Sequence, residues 1–302
     1  MEILQKNAML VQLNINCAGF SRKDKRVTQK VNNEHGASDD AGKYNKNLFS
    51  TKDTEVPKQL ARQARSVVDH FCLHWSGNQR LLPVANYEKF LERITAIKSK
   101  FYQAVDDLDQ KLPSLIEQRR VQLNGMFKES DYECYKDLKS LYKFNVNFSP
   151  IPSGDHFLVD LVEEETAIIK QEIEDSNAQL LGTATEESFE RLHSAVKHIA
   201  TCLKDFEAVE VYKAGGKKKV ETTRRLYDTM TTNLSDLVEI LPALNITGDA
   251  RLAGLIDDVR ASSLLKHSVE DFRDPKQKHV VATVQTEAQE IAEKMSGFFG
   301  GV

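Results

Sequence analysis

The fold is decided by stretches such as Phe189-Glu-Arg-Leu-His-Ser-Ala-Val-Lys-His-Ile-Ala-Thr-Cys-Leu-Lys-Asp-Phe206, in which apolar residues recur in alternating steps of three and four. Three further stretches share this spacing, and they run over residues 87–112, 227–244 and 281–298. A stripe of this kind lies on one face of a helix and must be buried against another helix, because its apolar surface is unfavourable in water. The spacing predicts a mainly α protein. It leaves open whether the stripes pack within the chain or between copies of it.

Two regions alternate with a period of two, which is typical of strands. Residues 9–17 alternate apolar with polar side chains, and residues 144–161 contain two alternating runs around a stiff, proline-containing loop. We therefore expect a long helical bundle or coiled coil with a small antiparallel β-sheet made of the N-terminal strand and the central hairpin. The predicted segments are 1–55 (strand and polar connection), 56–143 (helical, with the longest heptad helix), 144–161 (hairpin) and 162–302 (C-terminal helices).

Two helix boundaries are predicted from local chemistry. Pro113 should end or kink the helix that begins after Pro83, because proline cannot donate to the helical ladder. The stretch Gly182-Thr-Ala-Thr185 should separate two helices, since Thr185 with Glu187 and Ser188 is suited to a helix N-terminus.

Bulk properties exclude several classes of protein. The 302 residues carry a net charge of -4, which does not suit a strongly basic coat for nucleic acid. No apolar run approaches the roughly 20 residues that a membrane span needs. The four cysteines have no paired spacing, which suits reduced thiols; they are Cys17, Cys72, Cys134 and Cys202. We expect a cytoplasmic protein with no membrane association.

No constellation of residues points to a reaction. His70, Cys72 and His74 alternate, but the helical period around them scatters their side chains. His198 and Cys202 lie one turn apart and are two ligands short of a structural zinc site. The Gly-x-Ser-x-Gly motif is absent, and Ala214-Gly-Gly-Lys217 lacks the first glycine and the Ser or Thr of a phosphate loop. The sequence predicts no catalytic residue, no cofactor and no metal, so we expect a protein that is not an enzyme.

One cluster of positive charge is a candidate phosphate or nucleic-acid contact. It comprises Lys213, Lys217, Lys218, Lys219, Arg224 and Arg225. We expect a flexible turn between helices over residues 213–225, and a turn of this charge either binds phosphate or is simply a solvated loop tip. A second basic run, over residues 22–30, has the same two interpretations.

Trp75, the only tryptophan, lies beside a glycine turn and close to Arg80. Burial of the indole, which would anchor the turn, is one interpretation. An exposed recognition corner formed by Trp75 and Arg80 is the other.

The chain resembles a family of uncharacterised phage and prophage proteins. The resemblance is carried by the Trp-x-Gly-x-x-Arg-Leu-Leu-Pro motif at residues 75–83, His35-Gly-Ala37, Gly42-Lys-Tyr-Asn-Lys46, Leu123-Asn-Gly-Met-Phe127, Phe148-Ser-Pro-Ile-Pro152 and Leu241-Pro-Ala-Leu-Asn-Ile-Thr247, and it spans almost the whole chain. It implies a viral or prophage origin, hence the cytoplasm of an infected or lysogenic bacterial host, and no activity. Genes of such proteins can lie near one for a MoxR-like AAA+ ATPase, which makes an AAA+ ATPase a lead for a partner.

Together these features predict a non-enzymatic assembly, adaptor or inhibitor protein that acts through helical protein–protein surfaces. We expect an unidentified host or phage protein as partner, and homo-oligomers. The alternative is a nucleic-acid-binding protein of phage DNA metabolism that uses the basic turn at residues 213–225.

Overall fold

A computed structural model describes residues 2–154, 163–212 and 218–299. Helices dominate these residues, which confirms the prediction of a mainly α protein. The helices are α1 (Glu2–Asn7), α2 (Lys25–Glu34), α3 (Thr51–Phe71), α4 (Tyr87–Leu123), α5 (Glu163–Leu203), α6 (Thr229–Leu244), α7 (Ala250–Ala261), α8 (Val269–Arg273) and α9 (Lys278–Phe299). The strands are β1 (Ala8–Asn16), β2 (Ser21–Lys23), β3 (Asn45–Asn47), β4 (Leu73–His74), β5 (Gln79–Pro83), β6 (Lys143–Ser149), β7 (Ala208–Tyr212) and β8 (Lys218–Thr222).

The chain forms two compact units, each assembled from separate stretches of sequence. The described residues of Met1–Val11, His70–Tyr87 and Phe148–Val302 make the first unit, and Gln12–Asp69 with Glu88–Asn147 make the second. Strand β1 contributes its first residues to one unit and its last residues to the other. The four segments expected from the sequence stay a prediction.

Three of the four heptad stripes form the core of the first unit. α5 packs against α9 and α6, and most of the buried apolar residues of these three helices belong to one cluster. That cluster includes Leu192, Val196, Ile199, Leu203, Met230, Leu234, Leu241, Val284, Ala288 and Met295, and α7 adds Leu252, Leu255, Ile256 and Val259. These stripes therefore pack within the chain. Tyr227, the first residue of its stripe, is 59% exposed and lies outside the core.

Helix α5 passes without a break through residues 182–185, so the expected helix boundary there is wrong. The hydroxyl of Thr185 donates to the Leu181 carbonyl at 2.9 Å, and that of Ser188 donates to the Ala184 carbonyl at 3.2 Å. Each side chain thus bonds back within the helix instead of capping a new one. Ala184 and Ser188 are fully buried, so tertiary packing holds the helix together at this point.

Helix α4 carries the remaining stripe in the second unit. Its buried residues include Ile94, Phe101, Val105, Leu108 and Leu112, which follow the predicted spacing. The sequence analysis expected the helix either to end or to kink at Pro113. The helix runs through Pro113 to Leu123, so the expected end there is wrong. Leu112 and Leu115 are both buried, and this packing on either side of the proline compensates for the missing ladder bond.

The predicted N-terminal strand is β1, and the first strand of the predicted central hairpin is β6. The second run of that hairpin, at residues 157–161, lies outside the described residues. In the first unit the strand order is β4-β5-β1, and in the second β6 neighbours β1. β4 pairs antiparallel with β5, with Leu73 opposite Leu81. The sequence did not predict this pair, because a two-residue strand that directly follows a helix is too short to show alternation.

The N-terminal part of the second unit was expected to be a polar connection, and a buried ion cluster holds it in place. Strand β2 pairs antiparallel with β3, and helix α2 lies between them in sequence. The ammonium of Lys46, only 3% exposed, contacts the Asp131 carboxylate, donates to the Met126 carbonyl at 2.8 Å and lies 3.8 Å from Asp24 Oδ2. We call Lys46, Asp24 and Asp131 the ion cluster. Arg22 adds a hydrogen bond to the Asp131 carbonyl at 3.1 Å.

Candidate functional site

The predicted basic turn belongs to a β-hairpin, and this corrects the expectation of a simple turn between helices. β7 and β8 pair antiparallel over five residues each, from Ala208 opposite Thr222 to Tyr212 opposite Lys218. Residues 213–217, with Lys213 and Lys217, lie outside the described residues. A signal was present in the sequence, since Val209 and Val211 alternate before a Gly-Gly pair, which favours a hairpin. The run contains only two valines, so the alternation is a weak signal beside a cluster of lysines.

The register divides the hairpin into two faces, because directly paired residues point to the same side. One face contains the pairs Ala208–Thr222, Glu210–Val220 and Tyr212–Lys218, and the other contains Val209–Glu221 and Val211–Lys219. Glu210, Val220 and Thr222 line a cleft, so we call their side the cleft face and the opposite side the outer face.

Charge on the hairpin is balanced between its own residues. On the cleft face the Lys218 ammonium lies 3.2 Å from Glu210 Oε2, and on the outer face the Lys219 ammonium lies 3.0 Å from Glu221 Oε1. The hydrogen bond to Glu210 raises the pKa of Lys218. Two lysines and two glutamates therefore cancel over the described strands. The ribbon itself presents little net charge to a phosphate.

Apolar side chains on the hairpin are unusually exposed. Val209 is 52% exposed, Val220 44% and Tyr212 65%, and every residue of β8 is exposed. The two strands form a sheet of their own in the described part of the chain, so the outer edges of both carry backbone groups without a strand partner. A neutral ribbon with exposed valines and free edges has the properties of a surface for another protein chain.

The base of the hairpin is held firmly on the first unit. The Glu207 amide donates to the Thr223 hydroxyl, and the Thr223 amide donates to the Glu207 carbonyl, both at 3.0 Å. The Lys278 ammonium at the start of α9 lies 2.8 Å from the Glu207 carboxylate and lowers the pKa of that group. Arg224 donates to the Thr201 carbonyl of α5 at 2.9 Å, so this predicted phosphate contact has a structural role.

The cleft beside the hairpin has a volume of about 610 Å³. It is lined by Glu210, Val220, Thr222, Arg225, Glu270, Arg273, Asp274, Pro275 and Lys276. Arg225, another residue of the predicted basic turn, packs its guanidinium over the ring of Tyr227 at 5.1 Å. Arg273 holds the opposite wall, since it lies 3.7 Å from Glu270 and donates to the Leu226 carbonyl.

A second groove lies between α5 and α9. His193 and Ser296 are shared by two adjoining cavities of about 270 and 390 Å³, and Ser296 Oγ lies 3.3 Å from His193 Nε2. Burial, and then the charge of Lys197, lower the pKa of His193, which keeps the imidazole neutral near pH 7. The Ser296 hydroxyl also donates to the Ala292 carbonyl at 2.9 Å. The pair therefore joins the two helices through a side-chain contact.

Trp75 and Arg80 belong to the β4–β5 hairpin. Trp75 is 4% exposed, so it anchors the turn and is not accessible at an exposed recognition corner. Arg80 lies in β5 and donates to the Gln79 carbonyl at 3.3 Å. At the turn, Gly77 has φ +54°, a left-handed conformation that favours glycine.

Two residues of α5 that the sequence did not single out as a pair fix β4. The Glu187 carboxylate accepts from the His74 amide at 2.7 Å, and Arg191 donates to the Cys72 carbonyl at 2.6 Å. Arg191 and Glu187 also form an ion pair one helical turn apart. Glu187 was expected at a helix N-terminus, and it instead satisfies the backbone of a neighbouring strand.

The two groups of histidine and cysteine considered as metal ligands, residues 70–74 and the pair His198 and Cys202, do not form a metal site with other side chains in the described residues. Cys72 is buried and His74 exposed, and His198 Nε2 lies 3.6 Å from Cys202 Sγ. Within the ranges that the structure describes, no group of three or more His, Cys, Asp or Glu side chains is placed to hold a metal ion.

Comparison with protein-family models, with curated proteins and with solved structures finds no match for this chain. The resemblance to phage and prophage proteins therefore stays a prediction. No helix among the described residues is both long and apolar enough to cross a membrane.

Proposed function

We propose that this protein is a non-enzymatic assembly, adaptor or inhibitor protein whose partner protein binds the β7–β8 hairpin. The observation that carries this proposal is the exposure of Val209, Val220 and Tyr212 on a ribbon whose described lysines, Lys218 and Lys219, are paired with its own glutamates. Exposed apolar side chains favour a protein partner.

The hairpin replaces the helical surfaces expected from the sequence. Most of the described apolar residues of three heptad stripes are buried in the core of the first unit, with Tyr227 as an exposed exception, so these stripes offer a partner little free apolar surface. A coiled coil between copies of the chain and a homo-oligomeric state remain proposals. The same holds for action in the cytoplasm of an infected or lysogenic bacterial host, and for an AAA+ ATPase as partner.

Nucleic-acid binding through residues 213–225 is the second candidate. It is favoured by the exposed rings of Tyr212 and Tyr227, which lie next to Lys218 and Arg225, because aromatic rings beside cations provide stacking platforms for bases. The pairing of Lys218 and Lys219 with glutamates and the engagement of Arg224 weigh against it. We therefore rank it below protein binding.

Removal of the hairpin tests the proposal. Ala208 and Thr222 stand opposite each other, so a short Gly-Ser linker can replace residues 209–221 without moving the base. The tagged chain and this variant are used to capture proteins from cells that naturally express the chain, with and without nuclease. We expect a protein that is captured in both conditions and lost with the hairpin. Equal capture by the variant would contradict the proposal, and loss on nuclease treatment would favour the second candidate.

Point variants define the contact more closely. Val209→Thr with Val211→Thr keeps the β-branched shape on the outer face and replaces a methyl group by a hydroxyl. The matched control is Val121→Thr, which alters a valine of α4 that is 76% exposed. Capture should fall with the hairpin variant and stay unchanged with the control.

A further inference from the structure

The cleft next to the hairpin has the size of a recognition site for a short segment of another chain. Its volume of about 610 Å³ lies within the range of roughly 300–1,000 Å³ that is typical of ligand sites. Val220 and Thr222 form its hairpin wall, and Glu270, Arg273 and Lys276 belong to the α8–α9 region opposite.

The acidic residues of the cleft are already engaged. Glu210 pairs with Lys218, and Glu270 lies 3.7 Å from Arg273. Asp274 Oδ1 accepts from the Lys276 amide at 3.0 Å, and its charge is not paired with a cation in the described residues. Two of the three carboxylates are therefore offset by cations, and Asp274 keeps its charge.

Two cationic side chains of the cleft form no ion pair with a carboxylate in the described residues. Arg225 contacts the ring of Tyr227, and neither Arg225 nor the Lys276 ammonium has an acidic partner within the described residues. Both side chains are exposed. The cleft can accept negative charge, and it offers Val220 and Pro275 as apolar surface.

These features identify the chemistry of the partner, on the basis of the protein-binding function proposed above. We infer that the cleft binds an acidic, extended peptide segment of the partner protein, with a carboxylate held by Arg225 and Lys276 and a neighbouring aliphatic side chain on Val220. A side-chain carboxylate can pair with a guanidinium in two hydrogen bonds, and the aliphatic neighbour accounts for the exposed valine.

Short peptides test this directly. The probe is the peptide Ac-Glu-Val-Glu-Thr-Glu-amide, titrated into the full ¹⁵N-labelled chain and followed by NMR shifts of the Val220, Arg225 and Lys276 amides. The comparison peptides carry Gln or Lys in place of each Glu. We expect saturable shifts with the Glu peptide that weaken as salt is added, and at least tenfold weaker binding of the other two.

Variants separate the cleft from the rest of the hairpin. Arg225→Gln and Lys276→Gln should each weaken the Glu peptide about tenfold, because each removes a charged hydrogen bond. The matched control is Lys219→Gln on the outer face, which should leave the affinity unchanged. Absence of saturable shifts, equal binding of the Gln peptide, or unchanged affinity in both cleft variants would overturn the inference. Tighter binding of a five-nucleotide single strand at the same residues would also overturn it.

The outcome is distinguishable from that of the proposed function. If hairpin removal abolishes partner capture while Arg225→Gln and Lys276→Gln leave it intact, the protein-binding function stands and the acidic segment is wrong. If hairpin removal leaves capture intact, the proposed function itself fails.

Discussion

Leu203 illustrates how much a single buried residue of a heptad stripe contributes to the stability of the core. It is 2% exposed and belongs to the cluster that α5, α6, α7 and α9 share. Leu203→Asp should lower the free energy of unfolding by more than about 4 kcal/mol, because it buries an unpaired charge. Urea denaturation followed by circular dichroism measures this loss. Lys204→Asp, at the next and exposed position, is the control, and equal effects of the two changes would contradict the assigned burial.

Lys46 is the central residue of the ion cluster. Lys46→Met should cost about 3–5 kcal/mol of unfolding free energy, because it leaves the carboxylates of Asp24 and Asp131 buried beside an uncharged side chain. Lys25→Met, which alters an exposed lysine of α2, should change the stability little. A loss as small as that of the control in chemical denaturation would mean that the cluster is open to water.

Asp24 gives the ion cluster a dependence on pH. A hydrogen bond from the Val27 amide, and then the charge of Lys46, lower the pKa of Asp24 in the folded chain. A carboxyl with a lowered folded pKa contributes stability that is fully present above its unfolded value of about 4, and that is lost as the pH falls through the folded value.

The loss of unfolding free energy caused by Asp24→Asn should therefore become smaller in acid. Its deficit in unfolding free energy relative to the parent should be largest at neutral pH and narrow steadily below about pH 4. Denaturation at pH 7, 5, 4 and 3 measures this. Asp257→Asn, which alters an exposed carboxylate, is the control. A deficit independent of pH would contradict the role of the charge.

At the scale of elements, the unbroken helix α5 makes a prediction about Gly182. A Cβ added at this residue would meet no atom within 4 Å, and the residue lies inside the helix. Gly182→Ala should therefore raise the unfolding free energy by about 0.5–1 kcal/mol. Gly248→Ala should destabilise, since Gly248 has φ +66°. A thermal melt distinguishes the two, and no gain at Gly182 would restore the helix boundary that the sequence suggested.

The hairpin makes a prediction about nucleic acid. Lys217→Glu, Lys218→Glu and Lys219→Glu together should leave the far-UV spectrum and the melting temperature nearly unchanged, because exposed ion pairs contribute little to stability. We expect the parent chain to bind an unmodified oligonucleotide only weakly in fluorescence anisotropy. Tight binding that falls steeply with salt and is lost in the triple variant would reverse our ranking of the two functions.

The elements that the sequence predicted are those with a local period. Strand β1 alternates apolar with polar side chains from Val11 to Asn16, and the stripe of α5 repeats over five turns, so both patterns can be recognised without tertiary information. The break at residues 182–185 was wrong because a threonine that caps a helix and one that bonds back within it look the same in sequence. The sequence did not predict β7, because an alternating pattern of only two valines is weaker than the signal of the six cationic residues that follow, which suits a solvated turn.

At the scale of the whole molecule, the sequence could not show what the stripes bury against. The same spacing serves a core within the chain and an interface between copies, and only the three-dimensional arrangement separates them. The ion cluster was equally hidden, because residues 24, 46 and 131 are far apart in sequence and each looks like a surface charge. The cleft combines strand and helix residues about 50 positions apart, which no local motif records.

The interleaving of the two units has a consequence for synthesis on the ribosome. All stretches of the second unit lie before Phe148, so that unit can fold while the remaining part of the chain is still being made. Met1–Val11 and His70–Tyr87 neighbour each other through strands β1 and β5, but the helices of the first unit that cover them emerge only over the next 150 or so residues, a delay of roughly 8–30 s. During that interval the nascent chain carries apolar segments without their final contacts, which makes it a substrate for chaperones that bind at the tunnel exit.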